Sequence, residues 1–460
     1  MRQERKNSAA LFLLLILFIL IFSFSQTFMQ KGEEIPIVLP QGGDLAIIGG
    51  DTAALLTALE GTRAGAQVIL FPNGAKLLED TLLLVSEGLA ALSTPLHMEQ
   101  KIELSPEEFR EMLESAGKEA ADPLLLEAFV EAAELLYALV RDYYGEDVFD
   151  TLPDPKDEPY LHLPYSSEAG GRLREILLKK INNEGIIIRS EKIKEIVFFK
   201  PEGNNEASSR MQMLLLENEE GEIIPFYVRG VVLADGGYCG DILRWHKNPR
   251  WNNQITLRPE QVGKGQQLAS SLGADFIRTD YLFKKIFLIQ SHTGQYKEFR
   301  SAGEQGVYFF NVEGQVLEVG ADFEEAASFI LQSPEGGAFV MVPEELALDN
   351  TGYFRSFSNV ADLVRLLKLR EIPIFRGFYT RLTYYTAPVG VGVYYTSGGL
   401  AVTPLGEVKN IHGEIIPGLY AAGEIAGGLH GEGALPGMVF SETLFFSRLV
   451  GISAAEYVCR

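Results

Sequence analysis

Hydrophobic positions along the chain mark out alternating strands and helices. Asp44-Leu-Ala-Ile-Ile48 is a short apolar run that predicts a buried strand, followed by Gly49-Gly50-Asp51-Thr52-Ala53-Ala54. Leu55, Leu56 and Leu59 then recur at helical spacing as far as Ala64, and Gly65 stands where a helix stop belongs. Gln67–Phe71 predicts a second strand, so this stretch reads as a βαβ unit of the kind that opens dinucleotide-binding folds. Ser105-Pro106-Glu107-Glu108 predicts a capped helix start, and Asp122-Pro123 begins a helix expected to run to about Tyr144. Lys180–Phe199 and Met211–Val228 predict strands of a β-meander, broken by the polar loop at Gly203-Asn204-Asn205. Arg229–Leu233 reads as another buried strand, and helices are expected at Phe323–Gln332, Asn359–Leu369 and from about Met438 to the end.

The chain starts differently. Met1–Ser8 carries Arg2, Arg5 and Lys6 against one acid, and Ala9–Phe24 is almost wholly apolar, which predicts a signal peptide or membrane anchor over residues 1–30. Residues 31–43, with Pro36, Pro40 and a Gly-Gly pair, read as a linker. The expected placement is extracytoplasmic, either secreted or held to the cell membrane by the N-terminal segment. A formal net charge of -22 argues against a nucleic-acid partner, which needs a basic surface. The only two cysteines, Cys239 and Cys459, lie far apart, and the six histidines show no metal spacing, so no metal site is expected.

Gly418-Leu-Tyr-Ala-Ala-Gly-Glu424, then Gly427-Gly-Leu-His430-Gly431 and an apolar helix, resembles the C-terminal flavin motif of the fumarate reductase and succinate dehydrogenase flavoproteins, relatives of urocanate reductases and ketosteroid dehydrogenases. The βαβ unit at 44–71, Leu-Ala-x-Gly-Gly at 233–237 and Gly263-Lys-Gly265 match that family in order and spacing. The resemblance implies an α/β fold: a Rossmann-like FAD/NAD(P)-binding domain with an inserted α+β capping domain. It places the FAD-binding domain discontinuously at residues 44–274 and 386–460 and the capping, substrate-binding domain at 275–385. The implied cofactor is FAD, and Gly49, Gly50, Ala54, Gly236, Gly237, Ala422, Gly423, Glu424, Gly437 and Met438 are the expected binding positions.

The fingerprint departs from this pattern in places. Aspartate occupies the second glycine position of G-x-G-x-x-G at Asp51, and alanine the third at Ala54. The acid expected on the adenosine ribose falls on Pro72, and Glu79-Asp80-Thr81-Leu-Leu-Leu-Val85 replaces a glycine-rich flavin loop. The family's substrate histidine and clamp arginine fall on Tyr395 and Ala434, and a further arginine and glutamate of the capping domain are lost at Gly314–Gly320. A dicarboxylate would therefore lack its cationic partners.

The remaining candidates for proton chemistry are His430, Tyr394 and Tyr395, set against structural readings as a loop histidine and packed aromatics. Arg376 and Arg381 are further candidates for holding an anion. The function expected is an exported FAD-dependent oxidoreductase that passes hydride to or from an unsaturated small molecule other than fumarate, with an external electron donor or acceptor. The alternative is a catalytically inactive binding or interaction protein of this fold that has lost FAD.

Overall fold

The computed structural model describes residues 42–460 apart from 74–76, 78–80, 199–211, 242–253, 257, 259, 280–283, 292, 300–305, 318–322, 335–336, 351 and 371–382. The N-terminal apolar run, the Gly203–Asn205 loop, His246, His292, Arg376 and Arg381 fall outside the described residues.

The opening βαβ unit forms as expected, with β1 (Leu45–Ile48), α1 (Thr52–Arg63) and β2 (Val68–Phe71). Both strands are buried along their whole length, as strands covered on two faces must be. β3 (Ile187–Ile188), β4 (Gly230–Leu233), β5 (Tyr384–Tyr395), β6 (Glu407–Lys409) and β7 (Ile415–Ala421) follow in the chain. Six of these strands make one sheet in the order β6-β7-β4-β1-β2-β3, parallel except at β6. The switch in strand direction of travel falls between β1 and β4, and ligands bind outside the strand ends at such a point. A second sheet of eight strands, running from Gln254 to Tyr395 in sequence, is organised around β5 and carries its own apolar core, including Phe287, Ile289, Val340 and Val391.

The last helix, α2 (Met438–Cys459), is long and apolar enough to cross a membrane by composition, yet most of it is buried within the protein. It packs on α1, where Gly61 and Gly451 allow close approach: a Cβ at Gly451 would lie 2.7 Å from the Thr57 carbonyl.

Two expectations are corrected. The helix from Asp122 breaks into Pro123–Ala132 and Leu136–Tyr144, because the Ala133 carbonyl accepts from the Leu92 N–H instead of continuing the helix. The start of the predicted strand at Lys180 is the end of a helix, Ala169–Asn183, and Ile187–Ile188 joins the parallel sheet, leaving only Lys192–Phe198 to the meander. Leu173, Leu177 and Ile181 bury one face of that helix, and this apolar spacing outweighs the local β propensity.

A buried polar cluster lies where Leu161–Pro164 pairs with Leu89–Ala90. His162 Nδ1 donates to the Tyr160 carbonyl at 2.9 Å, and Nε2 lies 2.8 Å from the Thr94 hydroxyl. Burial pushes the His162 imidazole down to about 4, with His97 acting in the same direction. The unfolded chain takes up this proton near the ordinary value of 6.5 and the folded chain only near 4. Below pH 6.5 the unfolded state therefore binds more protons, and stability falls until the pH passes below 4, by on the order of 3 kcal/mol. Urea unfolding at pH 7 and pH 4.5 should show this slope in the wild type and a shallower one in His162→Gln. Equal slopes would remove His162 from the account.

Candidate active site

The carboxyl ends of β1, β4 and β7 converge on glycine-lined turns that bring small backbone surfaces together. Gly49 has φ +146°, and a Cβ there would lie 1.8 Å from the Ala234 carbonyl oxygen, so the chain turns out of β1 directly against the end of β4. Gly236 and Gly423 also have positive φ, at +80° and +74°. A Cβ on Gly237 would lie 2.1 Å from Glu424 Oε1 and 2.3 Å from Thr396 Oγ1. These glycines are needed for close approach and not merely for turning. Gly50 and Ala54 are buried beside them, Ala422 donates its N–H to the Leu233 carbonyl at 3.0 Å, and Gly437 caps α2 just before buried Met438.

Glu424 follows β7 in a short 3-10 turn and is buried. Its Oε1 accepts from the Thr396 N–H at 2.8 Å and hydroxyl at 3.0 Å, and Oε2 meets Arg258 Nη1 at 3.2 Å. Burial pushes the carboxyl up, against the Arg258 charge and the Thr396 hydrogen bonds. The resemblance pointed to Glu424; Arg258 and Thr396, which hold it, carried no local signal.

Asp235, two residues past the end of β4, is half-buried, with its Oδ1 fully enclosed. Its Oδ2 accepts from the Gly265 N–H at 2.9 Å, and burial pushes the carboxyl up to about 7. Among the described residues, Asp235 Oδ1, Gln266 Oε1 and Ser397 Oγ are buried without a hydrogen-bond partner. Unpaired polar atoms are costly inside a protein, and a polar ligand at this end of the sheet would give them partners.

His430 and Tyr395 come together on a residue that local patterning did not single out. The Tyr395 hydroxyl donates to Glu442 Oε2 at 2.7 Å, and His430 Nε2 reaches the same oxygen at 2.6 Å. The two rings meet edge to face with centroids 6.0 Å apart. Burial, with the Glu442 charge, pushes the Tyr395 phenol well above its ordinary range, so it stays protonated and donates. All three side chains are buried, so these bonds act in a low dielectric. Glu442 was legible in principle: an acid within the apolar helix Met438–Cys459 needs a partner. The side chain of Tyr394 lies outside the described residues.

Several elements position this group. Tyr395 ends β5, and Glu442 sits in the first turns of α2. Ser441, beside it, donates to the Ala90 carbonyl and accepts from the Ala90 N–H, both at 2.8 Å, which anchors that helix end. The His430 loop is pinned on both sides. Glu432 N–H donates to the Gly117 carbonyl at 3.1 Å, and Asp122 N–H donates to the Gly428 carbonyl at 2.7 Å. Ala434 is half-buried on the main core, and Glu432 pairs with Lys118 at 2.8 Å, so neither presents a cation at the arginine position of the resemblance.

A family model described as an FAD binding domain matches residues 44–439. An NADH:fumarate oxidoreductase of Klebsiella pneumoniae is 24% identical over 91% of the chain, which spans 48% of that protein. The chain thus covers about half the length of that relative. A fumarate reductase (cytochrome) of Shewanella frigidimarina is 23% identical, over 90% of this chain and 77% of its own. The fold is that of a flavocytochrome c3 fumarate reductase in its open conformation, with a TM-score of 0.75 at 20% identity over 95% of this chain and 81% of the other.

The residues at this end of the sheet fit an FAD group. Among the described residues the Asp235 Oδ1, Gln266 Oε1 and Ser397 Oγ atoms, buried without partners, offer hydrogen bonds to a polar group. Glu424, Thr396 and Arg258 form a fixed polar wall beside them.

Proposed function

The chain belongs to the family of FAD binding domains, whose cofactor is FAD, and from that premise we propose that it is an oxidoreductase acting on an unsaturated small molecule of low charge. The observation that carries the reading is the shared Glu442 oxygen, which holds both the Tyr395 hydroxyl and His430 Nε2 in a buried site. Bound FAD supplies hydride chemistry. The protein's part is to hold the proton that must accompany the hydride, and the Tyr395–Glu442–His430 group serves as that store and relay. Glu442 keeps the Tyr395 proton directed and the His430 ring oriented.

Residues 44–274 and 386–460 make up the cofactor-binding part in this reading, and residues 275–385 the part that closes over the substrate. Among the described residues Ala434 and Glu432 put no cation at the arginine position, so fumarate is a poor substrate in this reading. Neutral or singly charged conjugated carbonyl compounds suit this site better. Electrons come from, or go to, an external partner. The apolar run at residues 9–24 supports action outside the cytoplasm, with the N-terminal segment as signal or anchor.

The test is reoxidation of the reduced flavin protein. Conjugated ketones, esters and monocarboxylates are offered under anaerobic conditions alongside fumarate. The expected result is rapid reoxidation by members of the first group and none by fumarate. Reoxidation by fumarate alone, or by no compound in the panel, would reject the assignment.

A further inference from the structure

At the start of α1, beside the same turns, the chain places a carboxylate of its own where a cofactor anion would bind. Asp51 is the N-cap of α1, and its Oδ1 accepts the Ala54 N–H at 2.9 Å. Its Oδ2 lies 3.7 Å from where a Cβ on Gly236 would stand, so the carboxylate spans from the α1 N-terminus toward the turn after β4. In a dinucleotide fold these two elements flank the pyrophosphate, and the helix N-terminus attracts it through free N–H groups and the helix dipole. Here a side-chain carboxylate already takes one of those N–H groups and brings a negative charge to the same place.

The ribose end is altered as well. Pro72 follows β2 and offers no side-chain acceptor. The next residue, Asn73, has φ +53°, and its Oδ1 is engaged by the Ile193 N–H at 3.2 Å. Its carbonyl lies 3.4 Å from Lys264 Nζ. Neither residue supplies the acid that normally accepts ribose hydroxyls. By contrast, the Glu424, Thr396 and Gly237 wall at the flavin end is intact.

We propose that Asp51 is a built-in competitor for the cofactor's pyrophosphate, so that the flavin half supplies most of the binding and FMN is held about as well as FAD. The proposal rests on the flavin-binding reading above and adds a cofactor preference to it. Seating the pyrophosphate requires the Asp51 carboxylate to leave the Ala54 N–H, an exchange that weighs less on FMN, whose single terminal phosphate is not tied on to an ADP half and is free to turn away.

The experiment measures FAD and FMN affinity by quenching of flavin fluorescence on the full chain, its Asp51→Gly form and its Asp51→Asn form. Asparagine caps a helix about as well as aspartate, so Asp51→Asn removes the charge and keeps the helix end. Wild type should bind the two flavins within about tenfold of one another, about 1.4 kcal/mol. Both variants should tighten FAD by about tenfold or more and FMN by clearly less. A melting temperature for Asp51→Asn close to wild type checks the fold. Unchanged or weaker FAD binding in Asp51→Asn, or a wild-type preference for FAD well beyond tenfold, would overturn this inference alone. Failure of FAD and FMN to bind any of the three forms would overturn it together with the proposed function.

Discussion

Glu442→Gln should lower turnover by roughly 100-fold or more while leaving flavin content unchanged, in the range by which positioned acid–base groups accelerate proton transfer. The substitution keeps the shape of the side chain and removes its charge. The oxygen that receives both the Tyr395 hydroxyl and His430 Nε2 becomes a neutral amide oxygen, or is replaced by an NH2 group facing two donors. Both orientations weaken the link between the two rings. The Tyr395 phenol, held high in part by the Glu442 charge, should titrate closer to its ordinary range in the variant. The pH profile of turnover should therefore move, which a purely structural role for Glu442 would not produce. Stability offers a separate measure. Glu442→Ala removes the buried oxygen that both Tyr395 and His430 bond and should cost about 2–5 kcal/mol in urea unfolding, with a smaller loss for Glu442→Gln. Wild-type turnover and an unmoved pH profile in Glu442→Gln would leave the buried triad a structural feature only.

Gly49→Ala should be among the most damaging single-atom additions in the chain, at about 3–5 kcal/mol or loss of folded protein altogether. The new Cβ would stand 1.8 Å from the Ala234 carbonyl oxygen and 2.9 Å from the Asp235 N, which are backbone atoms with no rotamer to change. Gly49 N–H also donates to the Phe71 carbonyl at 2.8 Å, so the residue cannot retreat without breaking the link between β1 and β2. Gly65→Ala is the matched control. That glycine has φ +101° but nothing within 4 Å of its Cβ position, so only the backbone conformation is strained. Its cost should be about 1–2 kcal/mol. Equal urea midpoints for the two variants would show that the β1–β4 approach yields more readily than its geometry indicates.

Much of the fold was legible because its signals are local. The apolar run Asp44–Ile48, the leucine spacing after it and the glycine at 65 specify a βαβ unit with no help from distant residues, and the unit lies where expected. Ser105 with Glu108 forms the anticipated capping box, with the Glu108 N–H to Ser105 Oγ bond at 3.2 Å. The C-terminal glycine motif pointed correctly to a close-packed turn, because absence of a Cβ is itself a local property. The break at Ala133 was not legible, since its cause is the N–H of Leu92, about forty positions away.

The sequence by itself determined the family, three strands of the main parallel sheet and the position of Asp51 at the first helix. Each depends on periodicity or on residues adjacent in the chain. Only the tertiary structure decided that Glu424 is held by Arg258 and Thr396, that Asp235 accepts from the Gly265 N–H, and that Tyr395 and His430 share Glu442. These partners are separated by 12 to 166 positions and come from different elements of the fold. Charged and polar groups are driven to such partners by the cost of burying them alone, and which partner each one finds depends on how distant elements pack.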